Sequence, residues 1–335
     1  MIKRTFAFIF FLILGIALFV SIIVTTGVDA IWESLSNFSL LGFLILVVLS
    51  LLNFALFTLR WDIILRHHHE GKKVPFHRLF LHRMTAYAVS YLTPAAYSGG
   101  EPVRVFFLQE DGVDTKNAVS TIVIDKVFEY TALILFIFSG VLVSIIEGSL
   151  FSGKMEIFLA GTVLFIGGLI FWFYYSTIKK IGFFSSIFRF LKLNRIKKIQ
   201  KFEKSIIKVE EKMATFYTNH VGKFAILMIM SLATVLFMVL EHFLVAYFMG
   251  VKLSFFQSFI SATIPGISYI IPVPGAVGML EGSHAGIFAL LGVGINVFVF
   301  VLILRLRDLV FILIGLAHAS KHSISMIRKS FTKGT

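Results

Sequence analysis

The chain contains no cysteine. That excludes disulfides, thiolate metal sites and thiol nucleophiles. Acidic residues are few, 18 Asp and Glu against 31 Lys and Arg, giving a formal net charge of +13. The basic residues are clustered, and in a chain this apolar their counterpart is an anionic lipid surface rather than nucleic acid. No RNA- or DNA-binding motif is present. Nor is there a competent ATP motif. Gly148-Ser-Leu-Phe-Ser-Gly153-Lys154-Met155 follows a P-loop up to its last position, where Met155 replaces the Ser/Thr that would hold Mg²⁺. His67-His68-His69-Glu70 and the pair His318/His322 both lack the His-Glu-x-x-His pattern, and no metal or cofactor is expected. Ser283, beside His284 and near Glu281, makes no nucleophile–base pair, because neighbours on a helix do not face each other.

What the chain has in excess is apolar sequence: 58% hydrophobic residues, 39 Phe and a mean hydropathy of +0.92. This places it among multi-span membrane proteins. Continuous apolar runs sit near residues 6–27, 38–59, 117–146, 155–178, 224–250 and 296–320. Each is about 20 residues or longer, enough to cross a bilayer as a helix. The first follows Lys3-Arg4 and has no clean cleavage site, so it reads as a retained helix rather than a signal peptide.

Residues 79–111 and 257–292 are also apolar, but each is broken. The first break is Tyr91-Leu-Thr-Pro94-Ala-Ala-Tyr97-Ser98-Gly99-Gly100-Glu101-Pro102, and the second is Tyr269-Ile-Ile-Pro272-Val-Pro274-Gly275-Ala-Val-Gly278-Met-Leu-Glu281-Gly282. Irregular backbone at membrane depth survives only where protein or a water-filled cavity shields it from lipid. Two such breaks, one in each half, point to a central polar site.

Basic residues set the orientation. Lys3 and Arg4, then Arg60, Arg66, Lys72, Lys73 and Arg78, then the stretch 179–223, then Lys321, Arg328, Lys329 and Lys333 alternate with connections poor in positive charge. All fall on the cytoplasmic side only if 79–111 enters and leaves from the cytoplasm and 257–292 enters and leaves from outside. The expected fold is therefore an all-α polytopic membrane protein, one membrane domain over 1–335. It has six full spans and two re-entrant helical hairpins, with both termini cytoplasmic and the chain in the cell membrane. Span 38–59, hairpin 79–111 and span 117–146 mirror span 224–250, hairpin 257–292 and span 296–320 from the opposite side, the pattern of an inverted repeat. Within 179–223, residues 194–217 read as a basic amphipathic helix. Two readings stand: a helix lying on the anionic cytoplasmic leaflet, or a linker helix obeying the positive-inside rule.

A charge at the centre of a span costs about 2.5–3.5 kcal/mol on insertion scales. Asp125, Lys126 and Glu129, Glu241 and His242, Arg305, Arg307 and Asp308, Glu101 and Arg104, and Glu281 all need a reason to be there. Either they pair off and pin the bundle, or they line one polar cavity. Arginine suits the second role because its fork grips phosphate bidentately, and Arg104 and Arg305, then Arg307, are the phosphate-binding candidates. The substrate-binding candidates are these three with Glu101, Glu281, Asp125, Lys126, Asp308, Tyr91 and Tyr269. The hairpin tips are Pro94, Gly99, Gly100, Pro272, Pro274, Gly275 and Gly278. Gly278, Gly282 and Gly286 recur every fourth residue, a face that either packs a short helix closely or forms a groove.

Arg60-Trp61, the segment from Pro94 to Arg104, Asp125-Lys126, the segment from Pro272 to Gly282 and Arg305 together carry a resemblance. The chain resembles the flippase-like membrane family called the lysylphosphatidylglycerol synthase transmembrane region, over nearly its whole length. Pro-x-Pro-Gly-x-x-Gly-x-x-Glu is the most specific part. In the multiple peptide resistance factors of that family, a membrane flippase portion is fused to a synthase domain that transfers lysine from lysyl-tRNA to phosphatidylglycerol. This chain ends at Thr335, shortly after the last span, so the resemblance implies the transport half. Where the family often has Asp-Arg, this chain has Asp125-Lys126, and lysine keeps the charge without the fork. The resemblance implies a flippase- or scramblase-like transporter of a phospholipid or polyprenyl-phosphate-linked lipid. Arg104, Arg305 and Arg307 would hold phosphate, and Glu101, Glu281 and Asp125 a cationic head group or protons. Two rivals are a membrane transferase, lysyl or glycosyl, and a scaffold for a separate lipid-modifying enzyme.

Overall fold

The computed structural model describes residues 28–36, 38–68, 74–93, 99–147, 153–192, 197–219, 221–270 and 273–332. Among them every regular element is a helix and no strand occurs. In chain order these are α1 (Val28–Ser36), α2 (Leu40–His68), α3 (Phe76–Leu92), α4 (Glu101–Glu110), α5 (Thr115–Glu147), α6 (Gly153–Ile178), α7 (Phe183–Phe190), α8 (Lys197–Asn219), α9 (Val221–Phe248), α10 (Phe255–Thr263), α11 (Met279–Leu290) and α12 (Val297–Thr332). A 3₁₀ stretch, Ile264–Ile270, continues α10. Two of the described helices, Leu40–His67 and Gly222–Phe248, are long and apolar enough to cross a membrane, with mean hydropathies of 2.7 and 2.4. On α2, Leu40, Leu41, Leu44, Ile45, Val48 and Leu52 all face outward. So continuous an apolar surface suits lipid and is rare on soluble monomers.

The expected runs 117–146, 155–178, 224–250 and 296–320 correspond to α5, α6, α9 and α12. The run 6–27 lies outside the described residues, as do Pro94, Pro272, His69, Glu70 and residues 148–152 of the P-loop-like segment. One boundary needs correction. Run 38–59 does not end in a basic loop, because α2 continues to His68. Arg60 is fully buried within it, and Arg66 pairs with Asp62 one turn back at 2.7 Å. These charges are helical residues with partners, not markers of a connection.

The chain forms two compact units. The first gathers the described parts of Met1–Ala55, His77–Arg104 and Leu236–Thr335. Its core includes Leu46, Val245, Leu280, Phe288, Phe300 and Leu304. Both broken segments turn back on themselves here. At the first break, the Gly100 amide donates to Ser90 Oγ of α3 at 2.8 Å. A Cβ on Gly100 would run into the Ala86 carbonyl, so only glycine lets the chain fold back this tightly. At the second, Ser254 and Gln257 cap α10 reciprocally. The chain then re-enters helix through Gly275, Ala276 and Gly278 at φ of 58°, 48° and 78°. α11 packs against α10, the 3₁₀ stretch and α12, and Ser268 Oγ ties the returning limb to Ser283 Oγ at 2.9 Å.

The second unit gathers Leu56–Phe76 and Val105–Val235. Its core includes Ile64, Ile124, Phe128, Met213, Phe216 and Leu227. α8 packs against α5, α6 and α7, and Met213, Ala214, Phe216 and Tyr217 are buried. The C-terminal half of this amphipathic helix thus spends its apolar face on protein. Glu210 of α8 accepts the Ser185 amide at the start of α7 at 3.1 Å, fixing the two helices together.

Candidate functional site

Arg305, in the third turn of α12, is where the two breaks meet. Its Nε donates to Glu281 Oε1 at 2.6 Å and its Nη2 to Glu281 Oε2 at 3.0 Å, a bidentate grip on the first turn of α11. Nη1 donates to the Tyr91 hydroxyl at 2.8 Å, the last turn of α3 before the first break. Nη1 also reaches the Gly275 carbonyl at 2.8 Å, and Nη2 the Ala276 carbonyl at 3.4 Å. A guanidinium has five N–H donors, and these contacts supply five acceptors. The left-handed backbone at Gly275 and Ala276 is what presents those carbonyls. Glu281 is used twice, since its Oε2 also accepts the Gly278 amide at 2.8 Å and caps α11. Tyr91 packs so closely on the second break that a Cβ at Gly275 would lie 2.6 Å from its ring.

Two residues on in the same helix, Arg307 donates to Asp308 Oδ1 at 2.8 Å, to Glu241 of α9 in a close ion pair, and to Ser50 Oγ of α2 at 3.4 Å. Glu101 and Arg104 pair with each other inside α4 at 3.2 Å. Arg104 is almost wholly buried and Glu101 partly exposed.

In the second unit Asp125 is held by Arg60, whose Nε donates to Oδ1 at 2.9 Å and whose Nη2 lies 2.8 Å from the same oxygen. Ser231 Oγ accepts from Nη1 at 2.9 Å, and Glu129 lies 3.5 Å from Nη2. Lys126 turns to Glu129 at 3.1 Å and stands over the Tyr130 ring at 5.7 Å.

The charged candidates thus take nearby partners, several across long stretches of sequence. Asp308 serves Arg307, and Gly99 and Gly100 form the turn before α4. Tyr269 lies in the 3₁₀ stretch and Pro274 opens the short turn that leads to α11. Sequence reasoning missed Arg60 as a buried partner, because it counted that residue as a cytoplasmic charge. His242 of α9 was singled out as a buried group, but its pairing with buried His284 of α11, whose Nε2 faces its own at 3.5 Å, was missed. The signal available was only that each sits near a buried glutamate, His242 next to Glu241 and His284 three residues after Glu281.

Residues 12–315 match the family model described as the lysylphosphatidylglycerol synthase TM region. The chain belongs to this family. Among curated proteins, a UPF0104 membrane protein of Methanothermobacter thermautotrophicus is 31% identical over 116 residues. That stretch is 34% of this chain and 34% of the relative, so the similarity spans about a third of each. The lysylphosphatidylglycerol synthase TM region is a membrane domain, which agrees with the helical architecture, with the outward apolar face of α2 and with a lipid-related role.

Proposed function

We propose that this chain is a flippase- or scramblase-like transporter that moves a phospholipid or polyprenyl-phosphate-linked lipid between leaflets. The observation that carries the reading is the convergence of Tyr91, Gly275, Ala276 and Glu281 on Arg305. Every donor of that arginine has an acceptor, so a lipid phosphate binds it by exchange, displacing Glu281 or Tyr91. Exchange at this point loosens both breaks together, and this couples head-group binding to hairpin movement. Arg307 and Arg104 offer further phosphate contacts of the same kind, while Glu241, Asp308 and Glu101 balance their charge between cycles.

The proposed topology has α2, α5, α6, α9, α12 and the run 6–27 as full spans, with α3–α4 and α10–α11 as hairpins re-entering from opposite faces. The asymmetry of basic residues supports it.

Reconstitution in vesicles with a fluorescent phospholipid tests the reading. Arg305→Ala is expected to reduce translocation to the protein-free rate. Tyr91→Phe keeps the ring and its packing and removes one acceptor, so it is expected to slow translocation with the fold intact. Equal rates for wild type and both variants would remove Arg305 from the mechanism. Lysyl- or glycosyl-lipid newly made by cells expressing the chain would instead assign a transferase.

A further inference from the structure

The first unit buries two histidines against each other. His242 Nδ1 lies 2.9 Å from the Met238 carbonyl, and His284 Nδ1 lies 2.9 Å from the Leu280 carbonyl, each one helical turn back. A carbonyl only accepts, so each Nδ1 carries a hydrogen. In a neutral imidazole that leaves Nε2 bare. The two Nε2 atoms then face each other at 3.5 Å, lone pair to lone pair. The rings are nearly parallel, with centroids 5.7 Å apart. Phe300 flanks both rings at 5.5 and 5.6 Å, and Phe288 stands 6.1 Å from His284. Both histidines are buried.

Two facing acceptors in a buried site repel. One proton between them converts the repulsion into a charge-assisted hydrogen bond. A second would set two cations side by side in a buried site, which desolvation and Coulomb repulsion both oppose. The pair therefore holds no proton or one, and it titrates as a unit.

The charged neighbours come from each element around the pair. α9 contributes Glu241, held by Arg307, and α11 contributes Glu281, held by Arg305. α12 contributes Arg305 near His284 and Arg307 near His242, with Asp308 acting on Glu241, and α10 adds the Ser261 carbonyl beside His284. Glu281 is three residues before His284 on the same helix, so a cation on the pair competes with Arg305 for it.

We infer that His242 and His284 bind a single shared proton that latches α11 to α9, and that this proton is the coupling ion of lipid transport. Its arrival draws on Glu281 and frees Arg305 for phosphate, while its departure restores the Glu281–Arg305 pair. The coupling role rests on the transport reading given above; the proton site does not.

Two measurements on the full chain in phosphatidylglycerol vesicles separate the two claims. The first is nitrogen NMR of ¹⁵N-histidine-labelled protein against pH, with His242→Gln and His284→Gln to assign the signals. The expected result is two Nδ1-protonated neutral rings at high pH, then one proton taken up by both Nε2 signals together. Two independent steps, no uptake while the protein stays folded, or a stoichiometric transition metal found by elemental analysis would each overturn the site. The second is lipid translocation under an imposed pH difference. Wild type should respond several-fold to the sign of the gradient, and His284→Gln should lose that response. A wild type that moves lipid with no response overturns the coupling. A wild type that moves no lipid overturns the transport reading and leaves the NMR result to decide the proton site.

Discussion

Arg60 of α2 and Asp125 of α5 form an ion pair with neither side chain exposed. Breaking a buried pair by removing one partner costs about 3–5 kcal/mol, because the survivor keeps its desolvation penalty. Asp125→Ala should therefore lower stability by about that amount, read by thermal unfolding in detergent. Lys126→Ala, which removes a partly exposed charge from Glu129, should change it by under about 1 kcal/mol. The glycines divide as sharply. A Cβ on Gly315 of α12 would strike the Met84 carbonyl of α3, and one on Gly100 would strike that of Ala86, whereas Gly282 and Gly286 face open space. Gly315→Ala and Gly100→Ala should each destabilise by about 1–3 kcal/mol or more, and Gly282→Ala by less than about 0.5 kcal/mol. Two readings of the Gly278, Gly282 and Gly286 row were open, close packing and a groove. If Gly282→Ala and Gly286→Ala leave the melting temperature unchanged but slow lipid movement, the row is a groove.

The elements most legible in the sequence were those defined by length alone. α5, α6, α9 and α12 each follow from an apolar run longer than a bilayer is thick, and α2 was found but cut short. Its last three turns carry Arg60, Asp62 and Arg66, which look like a loop by charge. They are held in helix by pairing, Arg66 on Asp62 and Arg60 on Asp125. Breaks in helix were legible because proline and glycine act locally. What each break touches was not legible, since Arg305 meets Glu281 24 residues away and Tyr91 214 residues away. No local pattern encodes such partners, and the same holds for His242 and His284, 42 residues apart. The periodicity of α8 was legible too, but not its cover. The partner of its later half is α5 and α6, so the amphipathic pattern there reports protein packing.

At the scale of the molecule, the absence of cysteine makes the proposed topology directly testable. Single cysteines introduced at Pro75 and Gly112 bracket α3–α4, and those at Lys252 and Gly292 bracket α10–α11. A membrane-impermeant maleimide added to intact cells should label Lys252→Cys and Gly292→Cys and spare Pro75→Cys and Gly112→Cys. If the members of either bracket fall on opposite sides, that segment spans and is not re-entrant.

The bond from Tyr91 to Arg305 also fixes an order of birth. A ribosome adding about 5–20 residues per second reaches Arg305 roughly 10–40 s after Tyr91. Thr85, which donates to the Gly315 carbonyl at 3.0 Å, waits longer still. Throughout that interval the first broken segment has been made while its clasp has not. A nascent chain stalled before α12 leaves Tyr91 and Thr85 of α3 without these partners, and α12 is the piece whose arrival supplies them.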